Sequence, residues 1–263
     1  MNSLNYDELR LGLFQMDIRW CDVQGNLRQV ETVLPRIKDK CDLLILPETF
    51  TTGFSTSEVS CAEPTDGIVF NTIKQWTLKY DIAICGSIIA KEDGKIFNRG
   101  FFISPNSCYF YDKRHLFRIG GEAHLFTAGN SHLIVNYKGW NISFQICYDL
   151  RFPVWSRNVN NAYDLLLYVA NWPNSRQAVW ETLLKARAIE NISYVAGVNR
   201  IGMDEQTTYY SGGSQVIDMK GNPLDNTVDE SGQILCFTIS KSKLVQFRDK
   251  FPAWKDADLF KII

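Results

Sequence analysis

Short apolar runs of strand length alternate along the chain with longer segments whose apolar residues recur every three or four positions. The strand-sized runs fall at Leu9–Met16, Asp42–Leu46, Ile82–Ile89, Gly100–Ile103, Ser107–Tyr111, His132–Tyr137, Trp140–Ile146, Leu165–Val169, Ser193–Val198, Ser214–Asp218 and Ile234–Ile239. Several, notably DLLILP at 42–47 and DLLLYVANW at 164–172, are apolar at consecutive rather than alternate positions. That pattern predicts strands covered on both faces. Helical spacing appears in Asn26–Lys38, where Leu27, Val30, Leu34 and Ile37 share one side and Pro35 is expected to disturb the last turn. Gly67–Tyr80 and Gln177–Asn191 read as further helices, the latter with Leu183, Leu184, Arg187 and Glu190 at three- and four-residue spacing. Strands interleaved with three or four helices predict an α/β fold whose sheet faces are covered by helices. The stretches around 51–66 and 118–130 lack the composition of a linker and read as surface loops, so residues 1–263 are taken as a single domain.

Composition narrows the partners. The 263 residues are 45% hydrophobic and 22% charged, enough for one substantial core. A net charge of −1 with both signs scattered leaves no basic footprint for nucleic acid or an anionic membrane, and a small molecule is the expected partner. The opening MNSLNYDELRLGLF has neither a basic leader nor a long apolar stretch, which predicts a cytoplasmic protein. Seven cysteines, dispersed and without CxxC or Cys/His ligand spacing, argue against a disulfide framework or a zinc site.

Chemistry is concentrated in three places. At Gln145-Ile-Cys147-Tyr-Asp149-Leu-Arg151-Phe-Pro153 an apolar strand ends on a cysteine, and Pro153 and Trp155 read as the first turn of a following helix. A thiol at such a turn lies near backbone N–H groups and the helix's positive end, which is expected to favour the thiolate; the alternative is a small buried core residue. Its base could be one of only three histidines, His115, His124 and His132, but no Asn or Asp orienter stands out. A carboxylate is the other option. Leu43-Leu-Ile-Leu-Pro47-Glu48 delivers one to the carboxyl end of an apolar strand, where α/β sites gather, although a surface glutamate would look the same. Tyr111-Asp-Lys113-Arg-His115 supplies a cation after another strand, able to stabilise a thiolate or an oxyanion, or simply a solvated basic pair.

Taken together, these residues resemble the nitrilase superfamily. The likeness rests on the opening strand ending at Gln15, LPE at 46–48, YDKRHLF at 111–117, CYDLRFP at 147–153, ANWP at 170–173 and ARAIEN at 186–191, with VNRIG at 198–202, SGGS at 211–214 and VIDMKG at 216–221 behind them. It implies a four-layer αββα sandwich with Cys147 as nucleophile, Glu48 as base and Lys113 stabilising the oxyanion beside the Tyr148 backbone N–H. A second glutamate that helps to position substrate corresponds to Glu122. Members typically dimerise, here through Phe152–Asn160 and Arg176–Asn191. The ANWP and HLFR runs and the compact length resemble the omega-amidase branch, which hydrolyses the terminal amide of 2-oxoglutaramate or 2-oxosuccinamate to the dicarboxylate and ammonia. Carbamoylases are the nearer rival within the family, and a catalytically silent binding module of the same fold is the rival outside it. A substrate with a distal carboxylate needs further donors, for which Arg118, Arg151, Arg176, Tyr148 and Trp172 of the ANWP stretch are candidates. No cofactor or metal is expected, since thiol, base and cation suffice for acyl transfer to water.

Overall fold

The structure, a computed structural model, describes residues 7–55, 60–229, 232–258 and 260–262. Among these residues eight strands form one sheet. Its order is Thr227–Val228, Ile234–Ser240, Glu8–Phe14, Leu43–Ile45, Ala83–Glu92, Lys95–Ser104 and Ser107–Asp112, with Glu63–Pro64 pairing beside Ala83–Glu92. A second, five-stranded sheet runs Gln215–Ile217, Tyr194–Asn199, Leu165–Ala170, Trp140–Ile146 and Ile134–Tyr137, its three central strands parallel.

The consecutively apolar runs are explained by what lies on each side of them. Leu43 and Ile45 face a core shared with Leu165, Leu167 and Val169 of the second sheet. Their neighbours Leu44 and Leu46 face away, into a cluster with Val30, Leu34 and Ile37 of the helix Val23–Ile37 and Val69, Ile73 and Trp76 of the helix Ile68–Tyr80. In the second sheet Leu166, Tyr168 and Ala170 likewise turn outward onto Trp180, Leu184 and Ala188 of the helix Gln177–Asn191. Because side chains alternate across a strand, two apolar environments require apolar residues at every position. The result is the αββα sandwich.

The helix Val23–Ile37 continues past Pro35 for two residues, with Leu34 and Ile37 fully buried, so packing outweighs the local penalty of the proline. Another expectation is corrected. No helix begins at Pro153; the chain forms a single 3₁₀ turn over Cys147–Arg151, and residues 153–156 are a further turn. Side chains claim the carbonyls that a helix would use. Arg187 donates to the Leu150 carbonyl at 2.6 Å and Ser156 to that of Phe152 at 3.3 Å, while a His132 ring nitrogen lies 2.9 Å from the Trp155 carbonyl. The helix Lys241–Lys250 escaped the sequence reading because only Leu244 and Arg248 of its ten residues are buried.

Candidate active site

Three strands end at one edge of the sandwich, and the residue types singled out for chemistry come just after them. Leu43–Ile45 leads through Leu46 and Pro47 to Glu48, Ser107–Asp112 leads to Lys113, and Trp140–Ile146 leads to Cys147. The parallel strand Leu165–Ala170 adds Asn171 and Trp172.

Glu48, Lys113 and Glu122 are almost completely buried, at 1%, 1% and 0% exposure. Lys113 Nζ donates to Glu48 Oε1 at 2.8 Å and to both oxygens of Glu122 at 3.1 and 2.9 Å. Asn98 Nδ2 spans the same two carboxylates, reaching Glu48 Oε1 at 2.8 Å and Glu122 Oε1 at 3.1 Å, and Ser87 fixes the amide's orientation by donating to Asn98 Oδ1 at 2.9 Å. The other oxygen of Glu48 accepts the Asn171 backbone N–H at 2.9 Å. Burial works against the Lys113 ammonium, but the two carboxylates outweigh it and raise its pKa above the ordinary 10.5. Glu122 is pushed up by burial and by its negative neighbour Glu48, against the opposing pull of Lys113. The ammonium therefore fills the space between two carboxylates that a bound cation would otherwise take.

The Cys147 thiol donates to the Asn171 carbonyl at 4.0 Å, on the same residue whose backbone N–H is held by Glu48. Burial and then the Glu48 charge push its pKa well above the ordinary 9.0, with Lys113 pulling the other way. This corrects the expectation of a resting thiolate. The 3₁₀ turn is too short, and the carboxylate too close, for the anion to be favoured before a substrate arrives. Both Cys147 and Thr49, the residue after Glu48, adopt left-handed backbone conformations at φ 41° and 44°, which side-chain-bearing residues avoid. Thr49 is pinned by Ser87, which accepts its N–H at 2.9 Å, and by Asn171, which donates to its hydroxyl at 2.9 Å. The Cys147 turn is pinned by Asp149. That buried carboxylate accepts from Tyr111 at 2.7 Å, from the His115 and Ile146 backbone N–H groups at 2.9 and 3.1 Å, and lies 2.8 Å from His115 Nδ1.

Above this floor opens a cleft of about 170 Å³. Glu48, Lys113, Cys147, Tyr148, Arg151, Trp172 and Arg176 all line it, so five strand ends and turns contribute to one space. Glu122 lies behind Lys113, and Arg118 points to solvent outside the lining. Arg151 stands over the Trp172 ring at 5.2 Å and Arg176 over Phe117 at 5.5 Å; among the described residues neither is in an ion pair. Asp149, two residues from Arg151, is committed to Tyr111 and His115. No histidine is among the described residues lining the cleft, and Arg114 turns away from its neighbour Lys113 to lie over Trp155.

Sequence reasoning missed Asn98, Asn171 and the hairpin Ile201–Met203/Tyr209–Ser211, whose connecting loop brings Asp204, Gln206 and Thr208 to the cleft wall. Asn98 had a signal. It is a lone amide beside an apolar run, in a strand that extends five residues further back than its apolar part.

A family model described as carbon–nitrogen hydrolase matches residues 10–249. Omega-amidase YafV of Yersinia enterocolitica is 41% identical over 256 residues, covering 97% of this chain and 99% of that protein. The 2-oxoglutaramate amidase of Bacillus subtilis is 28% identical over 251 residues, covering 94% and 96%. Among solved structures, a CN-hydrolase superfamily protein of Xanthomonas campestris with an arsenic adduct in its active site matches with a TM-score of 0.93 and 42% identity, covering 97% and 99%. In motif order, in architecture and in these matches, the chain belongs to the carbon–nitrogen hydrolase family of the nitrilase superfamily.

Proposed function

We propose that the chain is an omega-amidase that hydrolyses the terminal amide of a small 2-oxo dicarboxylic acid monoamide, 2-oxoglutaramate or 2-oxosuccinamate, to the dicarboxylate and ammonia. The observation that carries this reading is the convergence of Cys147, Glu48 and the buried Lys113 ammonium on one cleft of about 170 Å³, where burial and the Glu48 charge keep the thiol protonated. A neutral thiol needs a base at the moment of attack, and Glu48 is in place to be it.

In the proposed cycle the Cys147 sulfur attacks the amide carbonyl carbon while Glu48 takes the thiol proton. The Lys113 charge and the Tyr148 backbone N–H stabilise the oxyanion. Collapse of the tetrahedral intermediate breaks the C–N bond; Glu48 returns the proton to the leaving nitrogen, ammonia departs, and a thioester remains. Water, deprotonated by Glu48, then attacks the thioester, and the carboxylic acid product and the free thiol are released. Glu122 orients Lys113 throughout. Arg151 and Arg176, exposed at the cleft and free of ion pairs among the described residues, are the cations for the distal carboxylate, with Trp172 and Tyr148 shaping the wall.

The same reading takes residues 1–263 as one domain in a cytoplasmic homodimer. Exposed Val154, Val159 and Ile189 on the predicted pairing face, at 57%, 48% and 49%, support the dimer. All seven cysteines are free, as expected of a reducing compartment.

The test is a substrate panel with purified protein. Ammonia and 2-oxoglutarate should appear from 2-oxoglutaramate much faster than ammonia appears from amides of equal length without the carboxylate. Carbon dioxide release from an N-carbamoyl amino acid would instead select the carbamoylase, and silence toward every amide and nitrile would select a binding module.

A further inference from the structure

Outside the cleft lining, two thiols meet across a strand that has no side chain to separate them. Cys41 precedes Leu43–Ile45, and Cys236 lies within Ile234–Ser240; between those strands runs Glu8–Phe14. At the crossing point stands Gly12, paired in register with Cys236. A Cβ there would come within 3.0 Å of the Cys41 sulfur. The bare backbone leaves the two sulfurs 3.8 Å apart, although 195 positions separate them in the chain. Cys41 is buried and Cys236 only half-buried, so one thiol of the pair is open to solvent and the other is screened.

We propose that Cys41 and Cys236 form a reversible oxidation site, in which a peroxide-class oxidant joins the two sulfurs as a disulfide over Gly12. The Cys236 sulfur attacks one peroxide oxygen and the O–O bond breaks. The other oxygen leaves as water, and Cys236 becomes a sulfenic acid. The Cys41 sulfur then displaces that hydroxyl as a second water, its own proton completing the leaving group. Two thiols are oxidised by two electrons in total, and one peroxide is reduced to two waters. Cys236 is the half-buried thiol and Cys41 the buried one, which assigns the attacking and resolving roles in that order; the contact with Cys41 lowers the Cys236 pKa to about 7, in the same sense. Closing the gap to a bonded length of about 2.05 Å needs side-chain rotation and a small strand adjustment. The bond would clamp three neighbouring strands of the larger sheet on the face covered by the helix Val23–Ile37. Cys41 precedes Glu48 by seven residues, roughly 20 Å along an extended strand.

Graded hydrogen peroxide, applied to the Cys147→Ser protein to remove the other candidate nucleophile, tests this. Six of the seven thiols then remain, and the count should fall to four, with peptides containing Cys41 and Cys236 joined in non-reducing mass maps and released by dithiothreitol. The thermal midpoint should rise by roughly 5–10 °C on oxidation, because the crosslink closes a very long loop. Cys236→Ser should abolish both changes, and Cys41→Ala should leave a Cys236 sulfenic acid that dimedone captures. Separate over-oxidation of the two cysteines without a crosslink, crosslinks that instead join other cysteines, or a midpoint that does not move would each overturn the proposal.

Discussion

The floor of the cleft and its wall are built on opposite plans. On the floor, Glu48, Lys113 and Glu122 are buried and their charged atoms are committed to one another, to Asn98 and to the Asn171 backbone. On the wall, Arg151 and Arg176 are exposed, rest on aromatic rings and carry no ion pair among the described residues. Asp204, the acidic residue of the wall, spends its oxygens within its own hairpin, on Gln206, Thr208 and Tyr210. A preorganised floor needs no rearrangement when charge develops on the reacting carbonyl. The wall, by contrast, keeps its strongest donors for a ligand. In the proposed function, reaction type would reside in the part of the site that is complete without substrate, and substrate choice in the part that is not.

Substitutions can separate the two. Cys147→Ala should abolish turnover, by roughly 10⁴-fold or more, since no other thiol is among the described residues lining the cleft; steady-state ammonia release measures it. Glu48→Gln should lower kcat by roughly 10²-fold or more with the fold intact by circular dichroism. On the wall, Arg176→Ala or Arg151→Ala should lower kcat/KM by roughly tenfold for a substrate with a distal carboxylate and leave a neutral amide almost unaffected. If either arginine change reduced both substrates equally, the division between floor and wall would fail. Asn98→Ala removes a bridge without touching the sulfur; unfolding in urea should show a loss of about 1–3 kcal/mol, because Ser87 and the carboxylates lose a buried partner. The smallest effect is one of pH. With burial and the Glu48 carboxylate both opposing the anion, the rate of Cys147 alkylation in the free protein should keep climbing with pH up to and beyond 9.0, whereas a plateau near neutrality would restore the resting thiolate.

The sheets were legible in the sequence because each buried strand has to be apolar on two faces: every one of the eleven apolar runs coincides with a strand, from Glu8–Phe14 to Ile234–Ser240. Glu48, Lys113 and Cys147 were legible for a related reason, as polar residues placed where an apolar run stops. What escaped lacks such contrast. Asn98 sits inside a strand beside Phe97 and Arg99, and its value lies in carboxylates 50 and 24 residues away. Asp149 was noticed only as a charge near the cysteine, since nothing local reveals that Tyr111 and His115 converge on it. The two-residue pairing Thr227–Val228 and the hairpin Ile201–Met203/Tyr209–Ser211 are too short and too polar to carry a period. The resting state of the thiol was misjudged because it depends on a neighbour across the fold and not on the turn alone.

The left-handed backbone at Cys147 has a consequence for how this position would change over generations. A side chain in that conformation sacrifices about 1–2 kcal/mol that glycine would recover. Cys147→Gly should therefore resist heat better than Cys147→Ala, and a copy relieved of turnover would drift toward glycine or asparagine here. At this position backbone stability and the proposed thiol chemistry therefore pull in opposite directions.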